Sequence, residues 1–145
     1  MFKHILLPTD GSERSERAVH SAVAMAKALG ARITGMTVTK PYHVVALDPL
    51  VVTDTRQTYA AHADAVAADR LSVIEKAATA AGVPCQLVHR VGEHPYEEII
   101  ATATETGCDA IFMASHGRRG ISALVLGSET TKVLTHTKLP VVVYR

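Results

Sequence analysis

The chain predicts an α/β protein, one domain over residues 1–145 built on an open sheet of five parallel strands with helices on both faces. Three observations predict it. Strand and helix signals alternate from end to end, which implies parallel strands joined by right-handed crossovers. The helical stripes are rich in alanine, so helices can lie close to a sheet. Ala110 to Ala114 is a short, wholly apolar run, as a central strand buried on both faces requires.

Element by element, Phe2 to Leu7 is an apolar run ending in Pro8, the first strand. Ser12 to Leu29 carries Ala18, Ala22, Val23, Ala26 and Leu29 on one helical stripe, with Ser12 as N-cap, Glu13 and Glu16 in the first turn and Gly30 as the stop. Ile33 to Val38 is the second strand. Gln57 to Ala81 repeats the pattern through Ala60, Ala63, Ala67, Leu71, Ile74 and Ala78, closed by Gly82 and Pro84. Cys85 to Val91 alternates as a strand with one partly wet face does. Pro95 suits the first helical position, Glu97 and Glu98 its first turn, and Ile99, Ile100 and Ala103 face inward before Gly107. After Ala110 to Ala114 comes a glycine-punctuated loop, then a helix from Ser128 to about Thr135 and a last strand, Val141 to Tyr144. The stretch from Pro41 to Thr55 holds Val44, Val45, Leu47, Leu50, Val51 and Val52; a loop so apolar suits a lid, a binding surface or a subunit contact.

Composition narrows the function classes. A hydrophobic fraction of 48% over 145 residues supports a packed core. Net charge is +1 and aromatics are 4%, without the basic stripe and interleaved aromatics of a nucleic-acid binder. No apolar run is long enough to span a bilayer, and the N-terminus reads as a strand rather than a signal peptide. Cys85 and Cys108 lack metal or redox spacing and read as buried free thiols, so a reducing cytoplasm is expected.

In such sheets ligands bind beyond the carboxyl ends of the strands. Those ends carry Pro8-Thr9-Asp10-Gly11-Ser12, Val38-Thr39, Val91-Gly92 and the segment Ala114 to Ser128, and the first and last are polar and glycine-bearing. A strand running through a side-chain-poor loop into a helix start suits phosphate, since free N–H groups and the helix dipole favour an anion. The loop is neither a Walker A motif nor a dinucleotide fingerprint. A receiver domain would need an aspartate where Val91-Gly92-Glu93 stands, and an ATP pyrophosphatase would need Ser-Gly-Gly-x-Asp-Ser where Thr9-Asp10-Gly11-Ser12 stands.

The spacing Ala114-x2-Gly117-x9-Gly127-Ser128 resembles the nucleotide-binding signature of the universal stress protein family, Gly-x2-Gly-x9-Gly-Ser/Thr, with Ala114 in place of the first glycine. The opening Ile-Leu-Leu-Pro-Thr-Asp-Gly-Ser, the strand end Met-Ala-Ser-His-Gly and the closing Leu-Pro-Val-Val-Val extend the resemblance over the whole chain. It implies membership of the ATP-binding subgroup, a Rossmann-like sheet of order 3-2-1-4-5, and ATP, with Mg2+ carried by its phosphates, at the edge between strands 1 and 4. Asp10 would lie beside the nucleoside with Pro8 and Thr9 against it. Val38 would offer backbone groups to the adenine, and Met113 and Ala114 would floor the ribose. Gly117 would let backbone approach the phosphates, Gly127 and Ser128 would hold their far end, and Arg118 and Arg119 would add charge there. Glu129 joins this set at the helix start. The resemblance also implies a homodimer through Val141, Val142 and Val143, and a regulatory role in the stress response.

Plainer readings stand beside these. Asp10 before Gly11 also suits an Asx-turn, His116 a polar loop residue rather than a catalytic base, and Arg118 and Arg119 a solvated loop face. Three functions are compatible with the residues: an ATP-binding regulator acting on a partner protein through the glycine loop or the 41–55 segment, a slow ATPase or autophosphorylating enzyme, and a nucleotide-free dimerisation module. Hydrolysis needs a group to orient water, and only His116 and Glu129 stand near. Gly117, Gly127 and Ser128 argue against the third.

Overall fold

In a computed structural model, which describes residues 1–45, 55–118 and 125–145, the five strands form one parallel sheet. They are β1 (His4–Pro8), β2 (Arg32–Thr39), β3 (Cys85–Val91), β4 (Ala110–Ala114) and β5 (Val141–Tyr144), in the order β3-β2-β1-β4-β5. The helices are α1 (Glu13–Leu29), α2 (Tyr42–Val45), α3 (Arg56–Ala81), α4 (Pro95–Glu105) and α5 (Ser128–His136). One face of the sheet buries Ile5, Leu7 and Ile33 under α1 and α3; the other buries Leu6, Met36, Ile111 and Met113 under α4 and α5. Alternate residues of β1 thus serve opposite layers, as the two-residue period of a strand demands.

Local chemistry sets the boundaries. The Ser12 side chain accepts from the Ser15 N–H at the start of α1, and Gly30 and Gly82 end α1 and α3 in the left-handed conformation. Pro95 opens α4. The first strand begins two residues later than its apolar run, at His4 rather than Phe2, and extends through Pro8. The cause is Asp109, whose carboxylate takes the Lys3 and His4 N–H groups at 2.8 and 3.1 Å. Those amides bond to a side chain instead of a neighbouring strand. Partial burial raises the Asp109 pKa, but these backbone hydrogen bonds outweigh it and hold the carboxyl below 3.8.

Three packing expectations need correction. Ala60 is exposed; the buried stripe of α3 begins one turn later, at Ala63. Leu29 is half-buried but packs against the core as expected, Ile100 is half-buried, and Val19 and Thr102 take further buried places on α1 and α4. The apolar 41–55 segment opens with α2, a single helical turn that strand-and-helix alternation did not predict; residues 46–54, with Leu47, Leu50, Val51 and Val52, lie outside the described residues.

Candidate functional site

The chain runs outward from β1 to β2 and β3, then crosses back to place β4 on the other side of β1. The sheet therefore switches direction between β1 and β4, where loops diverge and leave a crevice at the carboxyl edge. A cleft of about 620 Å³ opens there. Among the described residues its wall contains those singled out for a nucleotide: Pro8, Thr9 and Asp10 from the end of β1, Val38 from β2, and Met113 and Ala114 from β4. Gly117 and Arg118 come from the loop, and Gly127, Ser128 and Glu129 from the start of α5.

The turn after β1 is built by short polar side chains. The Thr9 hydroxyl accepts from Gly11 N–H and from the Ser15 hydroxyl at 2.7 Å. Asp10 Oδ1 accepts from Ser12 N–H at 3.0 Å, which is the Asx-turn reading. Its Oδ2 accepts from the Arg118 N–H at 2.7 Å, across 108 residues of chain. Asp10 thus closes its own turn and pins the glycine loop at once. Gly117 explains itself here: a Cβ at that position would collide with Asp10 Oδ2. What crowds Gly117 is a carboxylate of this chain. Gly11 holds φ +75, a left-handed conformation that disfavours any other residue.

On the opposite wall, Met36 gives its carbonyl to Thr9 N–H, the last rung before β1 turns away. Val38, two residues on, directs its backbone polar groups to the same side, where no strand remains. Among the described residues its carbonyl accepts a long hydrogen bond from Arg70 Nη1, at 3.4 Å. At the far end, the N-cap of α5 is Gly127, which brings no capping side chain, and among the described residues no side chain caps the first-turn N–H groups. Gly127 is itself moored by donating its N–H to the Ser115 carbonyl at 2.8 Å.

Two residues weighed for chemistry are occupied otherwise. His116 is 6% exposed and its Nδ1 lies 3.1 Å from the Ser115 hydroxyl. Glu129 accepts the Tyr96 N–H at 2.9 Å and the Lys132 ammonium at 3.2 Å, capping α4 from α5 where His94 supplies no side-chain cap. Arg119 and Gly120 lie outside the described residues.

Sequence reasoning missed the third wall entirely. Tyr59, His62, Ala63, Val66 and Arg70 of α3 line the cleft together with Lys40. At about 1.5 Å per residue α3 is about 39 Å long, against about 26 Å for the eight residues of β2. The helix is thus about 13 Å longer than the strand, and its amino-terminal part, Tyr59 to Arg70, lines the cleft at the carboxyl edge. The signal was present as a stripe at helical spacing that includes a cation, offset from the alanine stripe beneath. Burial lowers the Arg70 pKa, the Arg118 charge adds to that, and Asp10 opposes it.

The chain is an α/β protein with a cleft at the switch point of its parallel sheet, and comparison with known proteins gives the family. The sequence model of the universal stress protein family matches residues 1–145, and the chain belongs to that family. It is 30% identical over 145 residues to the universal stress protein in the QAH/OAS sulfhydrylase 3′ region of Thermus aquaticus, covering 100% of both chains. The solved structure of the protein MJ0577 of Methanocaldococcus jannaschii superposes with a TM-score of 0.82 at 26% identity, covering 99% of this chain and 95% of that one. A universal stress protein solved in complex with cAMP shares the fold at 23% identity, with a TM-score of 0.69 and coverage of 99% and 97%.

Among the described residues no helix is long and apolar enough to cross a membrane, and no group of three or more His, Cys, Asp or Glu stands in position to hold a metal.

Proposed function

We infer that this protein is an ATP-binding regulator of the stress response that works by occupancy rather than turnover. One observation carries the reading: the cleft joins the Val38 carbonyl on β2, held only by a long bond to Arg70 among the described residues, to a start of α5 that its N-cap side chain leaves uncapped, with the Asp10-pinned glycine loop between them. An adenine amine would meet Val38, the ribose would lie over Met113 and Ala114, and the phosphates would take the α5 N–H groups, Ser128 and Arg118. A family relative of this fold in complex with cAMP supports a nucleotide in this architecture.

Occupancy is favoured over hydrolysis because the nearby carboxylates are spent. Asp10 serves two backbone N–H groups and Glu129 serves Tyr96 and Lys132, so neither is disengaged to orient a water. Mg2+ fits as an ion carried by phosphate oxygens, since magnesium takes few protein ligands, and the Ser128 hydroxyl is the exposed oxygen at that end. ATP would draw the glycine loop onto its phosphates and thereby change the surface offered to a regulatory protein partner, in the cytoplasm and as a homodimer through β5.

Denaturing the purified protein and chromatographing the supernatant should release an adenine nucleotide, and ATP should titrate by calorimetry with one site per chain. Absence of both released nucleotide and binding heat would overturn the reading.

A further inference from the structure

Arg70 is the one α3 cation that reaches the floor of the cleft, and its donors are poorly used. Nη1 stands 3.4 Å from both the Thr37 hydroxyl and the Val38 carbonyl. The Thr37 hydroxyl already donates to the Thr9 carbonyl at 2.7 Å. The buried Nε finds no hydrogen-bond partner among the described residues. The stem is held: a Cβ on Gly11 would come within 2.8 Å of Arg70 Cγ, so the arginine runs closely past that glycine. A half-buried guanidinium whose Nη1 is held only by two long bonds and whose Nε has no partner among the described residues therefore lies beside the carbonyl that the nucleotide reading gives to the base.

That position has a chemical consequence. A lone carbonyl is a pure acceptor; it welcomes the exocyclic amine of adenine and repels the O6 of guanine. Arg70 adds a donor at the same edge, and an arginine fork suits the O6 and N7 of guanine. It also competes with an amine for Val38. We propose that Arg70 sets the base selectivity of the cleft, admitting purines with a carbonyl at the six-position alongside those with an amine. The proposal rests on the nucleotide reading of the site.

The test is calorimetric titration of the full chain with ATP and with GTP, in the parent, Arg70→Met and Arg70→Lys. Methionine keeps an unbranched stem beside Gly11 and removes the donors; lysine keeps the charge and loses the fork. Both variants should shift the ratio of GTP to ATP dissociation constants by about tenfold in favour of ATP. An unchanged ratio, or parallel weakening of both nucleotides, would overturn the proposal, since a merely electrostatic or structural arginine predicts that. A parent that takes ATP but no GTP also overturns it while leaving the nucleotide reading intact. A parent that takes neither overturns both.

Discussion

Asp10 and Gly117 form a single device, although the sequence presents them as separate motifs. One carboxylate closes the β1 turn through Oδ1 and holds the loop through the Arg118 N–H. The loop approaches so closely that a Cβ at position 117 would fit only if the Asp10 carboxylate shifted. Gly117→Ala should therefore destabilise the protein by about 0.5–1.5 kcal/mol, the net worth of the one hydrogen bond Asp10 must give up as its carboxylate moves aside. It should also weaken ATP binding, because the loop loses that bond. The clash has one named partner, so in an Asp10→Ala background most of the Gly117→Ala penalty should vanish. A thermodynamic cycle by chemical denaturation reads this coupling; additive losses would mean that the loop is held elsewhere. The family resemblance implied a glycine at 117 for approach to phosphates, and nothing in the local sequence pointed to Asp10. Contact across 108 residues leaves no trace in local spacing.

At the scale of elements, the amino end of β1 is fixed by two titrating groups, His4 and Asp109. His4 is 4% exposed, with Nε2 2.7 Å from the Thr34 hydroxyl. Burial lowers its pKa from 6.5, the Arg32 charge adds to that, and the Gly107 backbone and Asp109 pull weakly the other way. The unfolded chain then binds a proton that the folded chain refuses. Stability from this group is present above 6.5 and is lost as pH falls from 6.5 through the lowered value, with a slope of at most about 1.4 kcal/mol per pH unit. Asp109, held below 3.8, adds its own loss only at lower pH. Thermal unfolding from pH 7 to pH 5 should show the first limb in the parent and a flatter profile in His4→Gln; identical profiles would exclude His4 as its source. The boundaries of α1 and α4 were legible because Ser12, Gly30 and Pro95 act within one turn of themselves. The start of β1 and the cap of α4 were not, because Asp109 and Glu129 act from other elements. The α3 wall escaped for a related reason: which part of a long helix lines a cleft depends on the sheet beneath it.

For the molecule as a whole, the strand order follows from few signals. The apolar β4 must be central, and the chain's last strand is left at the edge beside it. All four residues of β5 are only half-buried, and its outer side has no neighbouring strand among the described residues. An apolar edge of this kind pairs with another copy unless it is blocked, and antiparallel pairing about a twofold axis would join the two β5 strands into one continuous sheet. The ladder identifies which residue to change. Ile111 N–H donates to the Pro140 carbonyl and Ser115 N–H to the Tyr144 carbonyl, so Pro140, Val142 and Tyr144 face β4. Val141 and Val143 then present their N–H and C=O groups outward. A charge at Val142 would be a blunt probe, because that side chain packs against the core under α1 and α3. Val143→Pro is sharper: it deletes one outward N–H, adds ring bulk at the edge and spares every bond to β4. By sedimentation velocity the parent should run as a dimer and Val143→Pro as a monomer, with unchanged circular dichroism. A proline variant that remains fully dimeric would place the subunit interface elsewhere.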